Sequence, residues 1–173
     1  MKLAYTSGNW SEFATAHVGA SAALLGLVFV GLTINLRDVV ASRLLVNRAA
    51  EAVILLASVL ATSTAVLIPG QARGALSAEL IVLGFGIFTA VYLLQRGAGE
   101  ATAASDDGHG GAPRVTIVLR RVFGIGSSVL VVIAGITLAA TSGGGLYWWP
   151  AAIVAAYTGA VANAWVLLIE ILR

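Results

Sequence analysis

No cysteine occurs anywhere in the 173 residues. That absence excludes disulfides, thiol catalysis, thiolate zinc sites and iron–sulfur clusters. Charge is nearly as scarce. Only 10% of residues are charged, ten basic and eight acidic, for a net charge of +2. Average soluble domains carry about 25%. The basic residues are scattered rather than clustered, so the chain has no nucleic-acid footprint. No Ser-His-Asp arrangement, no paired carboxylates within one apolar run and no phosphate-binding glycine loop is present, so no catalysis and no cofactor is expected. The N-terminal MKLAYTSGNWSEF lacks the short apolar region and small-residue cleavage site of a secretory signal, and the first hydrophobic helix is expected to stay as an anchor.

What the chain has is apolar surface. Apolar residues make up 59% of it and the mean hydropathy is +0.95. A water-soluble chain this short leaves too much of its surface wet to hide that much apolar area. The expected solvent is therefore a lipid bilayer.

A helix needs about 20 apolar residues to cross about 30 Å of hydrocarbon. Five segments meet that length or nearly so: 13–36, 49–68, 77–95, 122–141 and 148–172. The runs are long and do not alternate, which selects helices over barrel strands. The expected fold is an all-α, single-domain bundle of five transmembrane helices. Pro69-Gly70 stops the second span, and Pro150 sits in the first turn of the fifth, where a missing N–H costs little. Residues 96–114, rich in Gly and Ala, read as a flexible loop.

Lys and Arg placement orients the bundle. Arg37, Arg43, Arg48, Arg96, Arg114, Arg120, Arg121 and Arg173 fall on one side, Lys2 and Arg73 on the other. The N-terminus is then outside and the C-terminus inside. Trp10, Tyr147, Trp148 and Trp149 collect on the outer side, as an interfacial aromatic belt would.

The helix faces carry small residues at regular spacing. In the first span Glu12, Thr15, Gly19, Ala22, Gly26, Phe29 and Thr33 are spaced 3, 4, 3, 4, 3, 4, a heptad seam. Small residues let helix backbones approach closely in lipid, where van der Waals contact replaces the hydrophobic drive. His17, Ser21, Val28 and Asn35 lie on the opposite face. Two marked faces imply protein neighbours on both sides, so the first span is expected to be central. The second span offers Glu51, Leu55, Ser58, Thr62, Ala65 and Pro69, with Ser58 and Thr62 able to hydrogen-bond across to another helix. The fourth offers Arg121, Gly124, Ser128, Val131, Gly135 and Leu138. The fifth offers Ala152, Ala155, Gly159 and Ala162, with Asn163 beside them. The glycines of GFG and GIG read as packing residues.

Each polar residue has a plain reading and a sharper one. Asn35 lies about 22 residues into the first span and is followed by Arg37 and Asp38, so it marks the helix's exit from the bilayer; the alternatives are an inward-facing interhelical bond or a pore-lining role. His17, about a turn inside the outer boundary, is read as a packed, hydrogen-bonded imidazole, and no metal constellation surrounds it. Glu51 and Glu79 are read as carboxylates opening helices, where the dipole favours negative charge. Glu170 is expected to pair with Arg120 or Arg121. DDGHGG, residues 106–111, lacks the spacing of a calcium loop. Asn163 is the best candidate for a buried polar group.

The run ASAALLGLVFVGLTINL, followed by NRAAEAVILLASVLATSTAVLIPGQ, resembles a family of small uncharacterised bacterial multi-pass membrane proteins, often labelled automatically as modulators of the membrane AAA protease. The resemblance covers 10–71 and implies a regulatory role in the bacterial inner membrane. SAALLGLVFVG and a second span ending VLIPGQ are also faintly similar to the plasma-membrane calcium-release-activated channels, whose first helix lines a pore with an acidic ring at its outer end. Glu12 would hold that place. The expected orientation is opposite to theirs, and no acidic residue follows VFVG.

The expected function is that of a non-enzymatic membrane protein, either an accessory or regulatory subunit of a larger membrane complex or a homo-oligomer packed through its small-residue seams. The alternative is a homo-oligomeric ion channel with the first helix at its axis.

Overall fold

A computed structural model of the chain describes residues 2–104 and 114–171. Among them are six α-helices and no strand: α1 Ser11–Ile34, α2 Leu36–Ala41, α3 Arg43–Leu67, α4 Arg73–Ala104, α5 Arg114–Ala140 and α6 Trp148–Ile171. Five of these, all but α2, are long and apolar enough to cross a membrane. The protein is an all-α, multi-pass membrane bundle. Helices are what lipid permits here, because every backbone N–H must find its partner within its own segment.

Several boundaries differ from the hydropathy reading. Helix α3 begins at Arg43, six residues before the apolar run at Ala49, and α4 continues to Ala104 through much of the segment read as loop. Arginines, Asn47 and a Gly/Ala stretch are polar or weakly apolar, yet they continue the helices beyond their apolar runs. The DDGHGG segment and His109 lie outside the described residues. The first span stops at Asn35, whose φ of −109° and ψ of 21° leave the helical basin before α2 turns away. At the other side α3 ends where Ile68 becomes extended before Pro69, and Gly70 takes φ +67°.

Helices α3, α4, α5 and α6 form a ring in which each packs on the next, and α1 packs on the outside of α3. Phe13 and His17 reach from α1 to the α6 residues Trp149 and Tyr157. The expectation that the first span is central therefore fails. The central helix is α3, with 56% of its most apolar stretch buried against 6% for α1. The seams read on the other spans are mostly inward. Leu55, Ser58, Thr62 and Ala65 of α3 are buried, as are Gly124, Ser128, Val131, Gly135 and Leu138 of α5.

Close approach is tightest between α4 and α5. A Cβ on Gly84 would stand 2.6 Å from Val132 Cγ2, and one on Gly135 would stand 3.0 Å from the Ser77 carbonyl. Ser77 Oγ donates across this contact to the Gly135 carbonyl at 2.9 Å. GFG and GIG each contribute one packing glycine. Gly84 packs on Val132 and Gly124 on Gln95 and Glu51, whereas Gly86 and Gly126 face open space. Residues two apart on a helix point about 200° apart, so one neighbour meets only one of each pair.

The connection between α5 and α6 is a glycine turn. Gly143, Gly144 and Gly145 all have positive φ, and a Cβ on Gly145 would stand 2.5 Å from the Ala4 carbonyl. The missing side chain seats the N-terminal 3-10 turn, Lys2–Tyr5, against the loop, and Gly144 N–H donates to Tyr5 Oη at 3.3 Å.

Candidate functional site

Two features stand out. One is a polar layer inside the four-helix ring, at the end where the arginines collect. Glu51 of α3, two turns into its helix, is fully buried. Arg120 of α5 forms a salt bridge to Glu51 Oε2 through both Nε and Nη2. Gln95 of α4 donates through Nε2 to Glu51 Oε1 at 2.7 Å and to the Arg120 carbonyl at 3.2 Å. Gly124 makes room for this. A Cβ there would stand 2.6 Å from Gln95 Nε2 and 2.7 Å from Glu51 Oε1.

Helix α6 supplies Asn163, which is 2% exposed. It lies one turn beyond Gly159, whose missing side chain admits Leu55 and Phe123. Each of the four ring helices thus places a polar residue inside at this end. Arg48, one turn before Glu51, is also buried.

This layer revises several expectations. Glu51 is not a helix-opening carboxylate, because α3 starts eight residues earlier. Glu79 does not open its helix either; α4 begins at Arg73. Arg120 pairs with Glu51; the side chain of Glu170, expected to meet Arg120 or Arg121, lies outside those described. Asn163 is buried as read, but its Nδ2 makes no hydrogen bond among the described residues. Glu51, Gln95 and Arg120 as one cluster escaped sequence reasoning. A signal was present in the polar Asn47-Arg48 stretch leading into Glu51, which continues the helix instead of preceding it.

The second feature is the outward face of α1. Glu12, Thr15, Gly19, Ala22, Gly26, Phe29 and Thr33 are all exposed. A Cβ on Gly19 or Gly26 would meet nothing within 4 Å. The opposite face, with Ala14, His17, Ser21 and Val28, is the one packed on the bundle. Thr15 and Thr33 donate to the carbonyls of Ser11 and Phe29 in their own helix, both at 2.8 Å, which leaves the Glu12 carboxylate as the strongly polar group of this face.

The remaining residues fall as follows. His17 Nδ1 lies 3.2 Å from Tyr157 Oη, and its ring meets Phe13 edge-on at 4.3 Å. Asn35 donates through Nδ2 to the Gly31 carbonyl at 3.0 Å, capping the C-terminal end of its own helix. Thr62 does bond across the bundle, accepting from Trp149 Nε1 at 3.2 Å, whereas Ser58 donates to the Leu55 carbonyl of its own helix. Trp149 is not part of an interfacial belt. It is fully buried, while its neighbours Tyr147 and Trp148 are exposed. Among the described residues no group of three His, Asp or Glu side chains is placed to hold a metal. Comparison of the chain with protein-family models, with curated proteins and with solved structures finds no match.

Proposed function

We propose that the protein is a non-enzymatic multi-pass protein of the bacterial cytoplasmic membrane, N-terminus outside and C-terminus inside, that works by lateral association. Its partner is a second copy of itself or a larger membrane complex of which it is an accessory or regulatory subunit. The observation that carries this reading is the place of α1. It stands outside the ring, packed on one side, with its small-residue heptad face toward the lipid and open space over Gly19 and Gly26. A smooth face of this kind suits close helix–helix contact in lipid. The polar layer fits the same reading, holding the ring in register beneath α1.

The exposure of Glu12 and Thr33 at the two ends of this face favours a second reading, a homo-oligomeric channel in which α1 lines the pore.

The natural absence of cysteine makes the test direct. Gly19→Cys and Gly26→Cys are oxidised in native membranes beside Val82→Cys on lipid-exposed α4. Disulfide-linked dimers at positions 19 and 26 alone support self-association, and discrete crosslinks from these positions to another membrane protein support the subunit role. No crosslink above the Val82→Cys level refutes both. Ion flux from the purified oligomer, lost on Glu12→Gln, decides for the channel.

A further inference from the structure

Near the middle of the four-helix ring, two turns from Glu51, lies a space of about 10 Å³ between α3, α4, α5 and α6. Every residue lining it is buried. Four of them are hydroxyls: Ser58 and Thr62 from α3, Ser127 and Ser128 from α5. Their protons are already committed. Ser58 donates to the Leu55 carbonyl at 2.6 Å, Thr62 to Ser58 at 2.8 Å, Ser127 to Gly124 at 2.8 Å and Ser128 to Ile125 at 2.7 Å. The indole N–H of Trp149, which also lines the space, is spent on Thr62. A hydroxyl oxygen keeps two acceptor lone pairs after its proton is given away. Hydroxyl oxygens of α3 and α5 therefore form the polar part of the lining, with only Thr62 served by a donor, and Val59, Ile87, Val131, Ala152, Ile153 and Ala156 complete the wall.

Its chemistry selects the occupant. About 10–15 Å³ is the room one water needs, and a water is held when two to four polar partners surround it. A purely apolar space of this size would stay dry. An anion meets only lone pairs, and a metal cation would have no carboxylate at this level to balance it. We propose that this is a binding site for a single water molecule, which donates to hydroxyls of both α3 and α5 and so bridges two helices that face each other across the ring. Ser58, Thr62 and Ser128 are then water ligands inside one chain rather than pore or subunit contacts.

The test is hydroxyl-radical footprinting of the full chain in nanodiscs. Ionising a bound water in place oxidises the side chains beside it. Val59 and Val131 line the space, while Val91 is equally buried and does not. The same residue type removes differences in intrinsic reactivity. Oxidation of Val59 and Val131 several-fold faster than Val91 is expected, falling to the Val91 rate in Ser128→Val, which fills the space and removes one acceptor. Equal rates for all three valines in the wild-type chain overturn the proposal, and that comparison stands whether or not the variant folds. Labelling that survives in folded Ser128→Val also overturns it. Protection from labelling by ammonium chloride, absent with sodium chloride at the same ionic strength, would mean the site takes a cation and would overturn it too.

Discussion

Glu51 and Arg120 show how much a single pairing decides at the scale of a residue. Two charges inside a bundle are each costly to desolvate, and they persist because each answers the other and Gln95 occupies the second carboxylate oxygen. Removing one partner strands the other. Glu51→Ala should lower stability by about 3–5 kcal/mol, the usual penalty for an orphaned buried charge. The double replacement Glu51→Leu with Arg120→Leu should recover most of that loss, since an apolar pair of similar volume needs no compensation. Reversible unfolding in mixed micelles at graded denaturing-detergent fraction measures both; a double variant as unstable as the single one would show that the layer's value lies elsewhere. Trp149 gives a second case. Its indole N–H is satisfied by Thr62 deep in the ring, so Thr62→Val should cost about 1–3 kcal/mol by leaving that donor unpaired. The same unfolding assay reads it.

At the scale of an element, glycines of the same chain should behave oppositely according to the face they occupy. Gly135→Ala drives a Cβ to 3.0 Å from the Ser77 carbonyl and 3.1 Å from the Ile81 amide nitrogen, backbone atoms that cannot step aside. Its expected cost is about 1–3 kcal/mol, the range for overpacking a tight contact. Gly26→Ala on α1 meets nothing, and helix propensity alone should make the isolated chain slightly more stable, by up to about 1 kcal/mol. Gly26→Leu separates folding from association. The isolated chain should unfold as the wild type does, while its complexes in native membranes are lost, as seen on native gels. Retention of the native-gel band would show that α1 faces only lipid.

For the whole molecule, the arrangement is a closed ring of four helices with a fifth span laid against it. Packing of this kind holds without the hydrophobic effect, which lipid removes, and relies on contact at Gly84, Gly124, Gly135 and Gly159. The ring carries the internal polar groups, and α1 carries the outward face. The expected topology, with the arginine-rich ends inside, is tested by single cysteines probed with a membrane-impermeant thiol reagent on intact cells. Labelling of Gly8→Cys and protection of Arg43→Cys is the expected result, and the reverse pattern would invert the orientation.

How much was legible follows from what each physical rule can see. Composition and run length alone determine the bilayer as solvent, the helical class and the five spans, because crossing hydrocarbon imposes a length and a polarity that any reader of the sequence can count. Periodicity also identifies the inward seams of α3 and α5, since a helix repeats its faces whatever surrounds it. It marks both faces of α1 equally, and so cannot say that only the His17 face is covered. Likewise WW contains one buried and one exposed tryptophan about 100° apart, and the order of the letters does not tell which. The end of α1 at Asn35 is legible because a helix terminus is a local event. Glu51, Arg120 and Gln95 do not read as a cluster, because 69 residues separate Glu51 from its arginine and 44 from its glutamine. Which charge meets which, and which seam is left for a partner, are questions of how helices sit beside one another, and only the tertiary structure decides them.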